Sequence, residues 1–268
     1  MRDIIIKIIA AILYVGVIVT NYLANALPIN NIATGEVSDK YANLFAPAGI
    51  TFSIWGMIYI LLGLYILYQF GAFKKIKYKK EKELIRRINI NFIITSIANI
   101  LWIFAWHYDY IGLSVIIMIT LLIFLIRIAN ILRKQKFNTK EYILVKLPFS
   151  IYFGWITIAT IANITTYLVS INWDGFGIPD NIWMIIILLI GTTIGIIRTM
   201  KDKNIAYALV FIWAYTGIII KHTTKAGFDN QYPEIITITA ISMILIITTI
   251  SVLIHKKIKH NKTIKTNR

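Results

Sequence analysis

Apolar residues along this chain fall into eight runs of about 20 residues, the length of α-helix that crosses the hydrocarbon core of a bilayer. Within these runs polar residues are single and mostly uncharged. The pattern predicts spans at roughly 4–27, 50–73, 88–108, 111–132, 143–169, 182–200, 204–221 and 234–255. It therefore predicts an all-α, polytopic transmembrane helix bundle.

The connections between the runs alternate in charge. Four of them are rich in Lys and Arg: the segments 74–87, 133–141 and 198–204 and the tail 255–268. All but three of the 28 Lys and Arg residues lie on this side, the exceptions being Lys40, Lys221 and Lys225. Since basic loops face the cytoplasm, we expect a multi-pass protein of the plasma membrane with both termini inside the cell.

Composition supports the same class. The chain has 268 residues, of which 58% are hydrophobic and 15% charged, and its mean hydropathy is +0.71. A soluble domain carries about 25% charged residues, so soluble classes are excluded. The net charge of +16 sits in the loops, where it predicts contact with anionic lipid heads and no nucleic-acid partner. The absence of cysteine excludes disulfides and thiolate sites.

The first run allows a second interpretation. Basic residues before an apolar run that ends in Ala24-Asn25-Ala26 resemble a cleavable signal peptide, and cleavage would leave seven spans. The run continues to Leu27 at full spanning length, which favours a retained helix.

Ionisable groups inside spans usually mark ion or proton pathways, and here none is central. All twelve acidic residues can be placed in loops or near helix ends, and all four His lie at the edges. We therefore predict no catalytic residue, no metal site and no cofactor. A proton-coupled pump and a cation channel are disfavoured, whereas a permease for small neutral solutes stays open.

Neutral polar and aromatic residues do occur within the spans. Asn99, Trp102 and Trp106 share one face of the third span, and Trp55 and Tyr59 form a similar stripe on the second. Such faces can hold a flat hydrophobic ligand by stacking, although helix packing uses the same residues. Two further tryptophans, at positions 155 and 213, lie near the middle of their spans, where each indole N–H needs a partner or a cavity.

Three motifs resemble those of the TspO/MBR family, the tryptophan-rich sensory proteins related to the mitochondrial translocator protein. The segment 45–59, FAPAGITFSIWGMIY, resembles the family's loop and second helix. Asn99-Ile100-Leu101-Trp102 resembles the third-helix N-x-x-W, and Gly154-Trp155 followed by Asn163 resembles the fifth-helix pattern. They occur in the family's order over about residues 5–170, as in longer bacterial members with extra C-terminal helices.

The resemblance implies a five-helix core at 1–170 and a three-helix extension with a basic cytoplasmic tail at 171–268. It also implies binding of a flat hydrophobic ligand, such as a porphyrin or haem-type tetrapyrrole, in sensing, regulation or transport. The family positions together with the third-span stripe give seven expected ligand-binding residues: Trp55, Tyr59, Asn99, Trp102, Trp106, Trp155 and Asn163.

The chain also departs from the family pattern. The family usually has paired prolines and a Trp in the loop before the second span, where this chain has Ala46-Pro47 and Gly49-Ile50. Without that Trp, the light-dependent porphyrin breakdown of some members is not expected, and we predict a binding protein more readily than an enzyme. Homodimer formation is left open.

Overall fold

The computed structural model describes residues 2–27, 29–73, 75–76 and 78–266, and their side chains between residues 3 and 259. Within this part of the chain, eight helical segments are long and apolar enough to cross a membrane, which confirms the predicted number of spans. These segments are Asp3–Ala26, Gly49–Gln69, Lys79–His107, Ile111–Arg133, Thr139–Ser170, Asp180–Asp202, Ile205–Thr223 and Pro233–Lys259.

The helices differ from the predicted spans mainly at their basic ends. In chain order they are α1 Arg2–Ala26, α2 Thr34–Lys40, α3 Ile54–Gln69, α4 Lys79–His107, α5 Ile111–Arg133, α6 Thr139–Glu141, α7 Leu147–Ser170, α8 Asp180–Asp202, α9 Ile205–Thr223 and α10 Pro233–Thr266. Helix α4 starts nine residues before its apolar run because the charged segment from Lys79 is itself a good helix former. Helix α10 likewise continues into the basic tail.

The chain divides into two compact units. The first contains residues 1–43 and 52–173, and the second contains residues 44–51 and 174–268. The expected division fell after residue 170, and it assigned the whole N-terminal part to one unit. The structure instead groups Leu44–Thr51, which lies between α2 and α3 in the chain, with the C-terminal helices.

Helix α7 lies at the centre of the first unit, and α1 lies at its edge. Of the 18-residue apolar stretch in the span containing α7, 72% of the residues are buried. The corresponding share for α1 is 11%. Helix α7 packs on α3 and α5, and α4 packs on α1 and α5. A π-helical turn, Tyr142–Lys146, precedes α7 and leads into Pro148. Proline has no N–H and its ring crowds the carbonyl four residues before it, which explains the local widening.

At the basic end of the first unit, a buried chain of hydrogen bonds joins three helices. Tyr65 donates to Asn89 Oδ1 at 2.7 Å, and Asn89 Nδ2 donates to Gln69 Oε1 at 2.6 Å. Lys7 Nζ then donates to the Gln69 carbonyl at 2.5 Å, which ties α1 to the end of α3. These groups satisfy one another, as buried polar atoms must.

At the opposite end, α2 is attached to the turn between α4 and α5. Asp109 accepts hydrogen bonds from Lys40 Nζ and from the Tyr41 hydroxyl. Partial burial would raise the pKa of the Asp109 carboxyl, but the bonds from Lys40 and Tyr41 outweigh it and hold this pKa below its ordinary value. A lowered carboxyl pKa stabilises the folded state at neutral pH, and this contribution is lost as the pH falls through the folded-state value. The groups are largely exposed, so salt screens the contribution.

In the second unit, α10 packs against α8 and α9. Gly195 of α8 lies against the Phe211 ring, since a Cβ at this glycine would approach that ring to 3.0 Å. The neighbouring Thr192 hydroxyl lies 3.1 Å from the Tyr215 hydroxyl of α9. The GxxxG sequence at 191–195 thus serves contact between helices of the same unit, as small residues do in membrane bundles.

The segment Leu44–Thr51 lies along α9. The Ala48 amide donates to the Gly217 carbonyl at 3.0 Å, and the Trp213 indole N–H donates to the Thr51 carbonyl at 2.9 Å. Near the end of α9, His222 Nε2 lies 2.9 Å from the Leu44 carbonyl oxygen. The mid-span Trp213 thereby has the hydrogen-bond partner that its position requires.

Candidate functional site: an aromatic cavity in the first unit

Four helices of the first unit line a small cavity, whose free space of about 10 Å³ has room for about one water molecule. Its lining comes from α1, α3, α4 and α7, and none of the lining side chains carries a charge. The lining residues are Tyr14, Val17, Trp55, Tyr59, Leu62, Phe92, Ser96 and Tyr152. A cavity of this composition favours a hydrophobic or aromatic occupant over an ion.

Aromatic rings form one wall of the cavity. Trp55 and Tyr59, one turn apart on α3, stack with ring centroids 5.6 Å apart and an interplanar angle of 22°. Tyr152 and Trp155 of α7 each meet the Trp55 ring edge-on, at 5.9 and 6.3 Å. Phe52 in turn contacts Trp155 edge-on at 5.7 Å. These geometries match the preferred arrangements of aromatic pairs and fix the orientation of the Trp55 ring.

Two polar groups at and beside this wall have no hydrogen-bond partner. They are the Ser96 hydroxyl, which lines the cavity, and the indole N–H of Trp155, which lies against Trp55. Both residues are almost fully buried, at 1% and 2% exposure. An unpaired buried donor costs about 1–3 kcal/mol, so such groups call for a physical explanation. A ligand that accepts hydrogen bonds would supply one.

The cavity is closed on one side by a contact between α1 and α3. The Tyr14 hydroxyl donates to the Tyr59 carbonyl oxygen at 2.9 Å. Gly63 makes room for it, because a Cβ at this position would lie 2.5 Å from the Tyr14 hydroxyl oxygen. Tyr14, Trp55 and Tyr59 are all partly exposed, in contrast to the buried inner wall.

Asn99 lies next to the cavity and joins three helices. Its Oδ1 accepts from Asn21 Nδ2 of α1 at 2.8 Å, and its Nδ2 donates to the Tyr152 hydroxyl at 3.4 Å. Asn21 also donates to the Val17 carbonyl of its own helix, and the lining residue that this amide pair holds is Tyr152. Asn99 therefore acts on the cavity through Tyr152.

The remaining predicted residues form a second cluster towards the end of α4 that faces α2. The indole N–H of Trp102 donates to Asn163 Oδ1 at 2.8 Å, and Asn163 Nδ2 donates to the Ser114 hydroxyl at 2.8 Å. Trp106 stacks on Trp102 at 5.3 Å and donates to the Thr34 carbonyl at 3.0 Å. Since every one of these side-chain donors is paired, this cluster has the properties of helix packing.

The structure thus divides the seven predicted site residues between two places. Trp55 and Tyr59 line the cavity, Trp155 packs against its wall, and Asn99 holds a lining residue. Trp102, Trp106 and Asn163 lie together in the paired cluster. Three polar lining residues were not among those predicted from the sequence: Tyr14, Ser96 and Tyr152. The last two lie three residues before Asn99 and Trp155, so helical spacing around the motifs would have found them.

These features define the class of the protein: a polytopic helical membrane protein with an uncharged aromatic cavity between its helices. A family model described as TSPO-like protein matches residues 7–253, and the chain belongs to this family. The match confirms the resemblance seen in the first five spans and extends it through α8, α9 and most of α10. Comparison with the curated proteins and with the solved structures returned no match.

Proposed function

We propose that this TSPO-like membrane protein binds a flat hydrophobic ligand, of the porphyrin or haem type, in the aromatic cavity of its first unit. The observation that carries the proposal is the pairing of an uncharged aromatic wall with two unsatisfied buried donors. Binding would serve sensing, regulation or transport, as the family resemblance implies.

The binding physics follows from the wall. A flat conjugated ring system would stack on Trp55 and Tyr59, whose rings are already nearly parallel. The Ser96 hydroxyl and the Trp155 indole N–H would each gain an acceptor in a medium without water. The neutral lining disfavours a free ion, and a hydrophobic ligand can reach such a site by partitioning into the bilayer.

The size of the cavity sets a condition on this proposal. The free space in the cavity is about 10 Å³, enough for about one water molecule, whereas sites for drug-sized ligands span roughly 300–1,000 Å³. A tetrapyrrole would therefore need the cavity to enlarge. Helix α1 has the smallest buried share of the spanning helices in its unit and packs less extensively on α3 than on α4, so we expect the enlargement between α1 and α3.

The test is a titration of the purified full-length protein with protoporphyrin IX in the dark, followed by quenching of tryptophan fluorescence. We expect saturable binding at micromolar or tighter affinity. In the double variant Trp55→Phe/Trp155→Phe we expect about a tenfold or greater loss of affinity, because two aromatic contacts and one donor are altered. The measurement also requires that the variant remains folded.

The matched control is Trp173→Phe/Trp183→Phe, which removes the same number of fluorophores away from the cavity. It should bind as the wild type does. Weak, non-saturable partitioning that is equal in all three proteins would contradict the proposal. The small-solute permease would then become the better hypothesis, to be tested by uptake into proteoliposomes.

We further propose that the protein lies in the plasma membrane with both termini in the cytoplasm and its basic loops on anionic lipid heads. The charge asymmetry of the connections supports this orientation.

A further inference from the structure

The cavity has one side that is thin and faces outwards. Its inner wall consists of nearly fully buried side chains, among them Leu62, Phe92 and Tyr152 at 2% exposure each. Its outer side consists of the partly exposed rings of Tyr14 and Tyr59 and of Trp55. Partly exposed side chains in the middle of a span, here Tyr14 and Tyr59, contact lipid, so these two rings lie between the cavity and the hydrocarbon.

In the part of the chain that the structure describes, the seam between α1 and α3 has hydrogen bonds at two depths. Near the basic end, Lys7 Nζ donates to the Gln69 carbonyl. Seven residues further along α1, about 10 Å away, the Tyr14 hydroxyl donates to the Tyr59 carbonyl at the level of the cavity. The second bond, which we name the latch, is therefore the polar contact that holds this seam shut beside the cavity.

The latch is weak enough to open reversibly. Tyr59 lies inside α3, so its carbonyl already accepts the helical hydrogen bond from the Gly63 amide and keeps that partner when Tyr14 leaves. Opening the latch then costs one interhelical hydrogen bond and few apolar contacts, since α1 packs less extensively on α3 than on α4. Its connection to α4 through Asn21 and Asn99 can persist while the seam widens.

We propose that the ligand enters the cavity from the bilayer between α1 and α3, and that the Tyr14–Tyr59 latch controls this access. The inference rests on the proposed function and adds a route and a controlling residue to it. The seam residues that line the cavity carry no charge, so this route would admit a ligand that is dissolved in the lipid.

The experiment measures association and dissociation rates of protoporphyrin IX by stopped-flow fluorescence, with the full-length protein in lipid nanodiscs. Tyr14→Phe removes the latch and leaves the ring in place. We expect the association rate to rise about three- to twentyfold, the factor that one interhelical hydrogen bond in a membrane corresponds to. The dissociation constant should fall or stay unchanged, because the binding-competent state becomes more populated.

A second variant and a control make the result specific. Gly63→Ala keeps Tyr14 but forces its hydroxyl away from α3, so it should raise the association rate in the same direction. Tyr22→Phe deletes the same hydroxyl from the exposed face of α1, at 67% exposure, and should leave both rates at their wild-type values.

The outcomes separate this inference from the proposed function. If the wild type shows no saturable binding, the proposed function fails and the access route fails with it. If the wild type binds and Tyr14→Phe leaves the association rate unchanged, only the latch is overturned. Faster dissociation with a higher dissociation constant and an unchanged association rate would make Tyr14 a direct ligand contact, which also overturns the latch.

Discussion

Individual polar side chains in this bundle differ in what they hold together. The Asn163 amide is paired at both its oxygen and its nitrogen: it accepts from the Trp102 indole and donates to the Ser114 hydroxyl, so it joins α4, α5 and α7. By contrast, Ser96 and Trp155 near the cavity have unpaired donors. A polar side chain in a bilayer is costly when it has no partner. We therefore interpret the paired residues as helix-packing residues and the unpaired ones as candidates for ligand contact.

Replacing Asn163 by Leu tests this distinction. The change keeps the volume but leaves the Trp102 N–H without its acceptor, so we expect a loss of about 1–2 kcal/mol in the free energy of unfolding. The measurement is unfolding in mixed micelles with increasing mole fraction of SDS. The control is Asn25→Leu, because exposed Asn25 bonds only to the Asn21 carbonyl of its own helix. Equal stability of the two variants would refute the structural role of Asn163.

At the scale of elements, the segment Leu44–Thr51 has an unusual position. It directly precedes the second span in sequence, yet it packs with the second unit along α9. Its approach is close because Gly217 has no side chain: a Cβ there would lie 2.0 Å from Thr51 Oγ1 and 2.9 Å from two Thr51 carbon atoms. The glycine is therefore the residue that allows the Ala48 and Trp213 hydrogen bonds to form.

The variant Gly217→Ala should push the segment away from α9. Overpacking of this kind costs about 1–3 kcal/mol, so the Ala48 amide should exchange its hydrogen about tenfold faster or more. Hydrogen–deuterium exchange of peptides covering residues 44–51 measures the effect. Gly49→Ala is the control within the same segment, since nothing lies within 4 Å of its added methyl group. Unchanged protection in Gly217→Ala would show that the segment does not depend on this contact.

At the scale of the whole molecule, the separation of charge between the two ends of the spans is the dominant feature. Helix α4 begins with a basic segment and α10 ends with one, and both helices extend beyond their apolar runs through these segments. The connection 224–232 between α9 and α10, by contrast, is poor in positive charge. Such a distribution orients a membrane protein with the basic side in the cytoplasm.

Single cysteines can test this orientation cleanly, because the chain contains none of its own. Lys225→Cys lies in the connection before α10, and Lys140→Cys lies in the connection before α7; both sites are exposed. On intact cells, a membrane-impermeant maleimide should label Lys225→Cys at once and Lys140→Cys only after permeabilisation. The reverse pattern would place the basic side outside and contradict the proposed topology.

The sequence by itself determined the class, the number of spans, the absence of central charges and the family. Each of these depends on local composition or on short motifs: a run of about 20 apolar residues spans a bilayer whatever its neighbours are. The motifs around Trp55, Asn99 and Trp155 also indicated three of the helices that enclose the cavity. Helical spacing carried this information because residues three or four apart share a face.

Only the tertiary structure decided which of these faces meet. In water, an apolar stripe marks the buried side of a helix, but in lipid both sides are apolar, so periodicity does not reveal the rotation of a helix about its axis. For that reason the sequence could not separate Trp102, paired with Asn163, from Trp55 at the cavity. Nor could it find the Tyr14 latch or assign Leu44–Thr51 to α9. Those features arise from contacts between residues 45 to 178 positions apart, which local patterns do not encode.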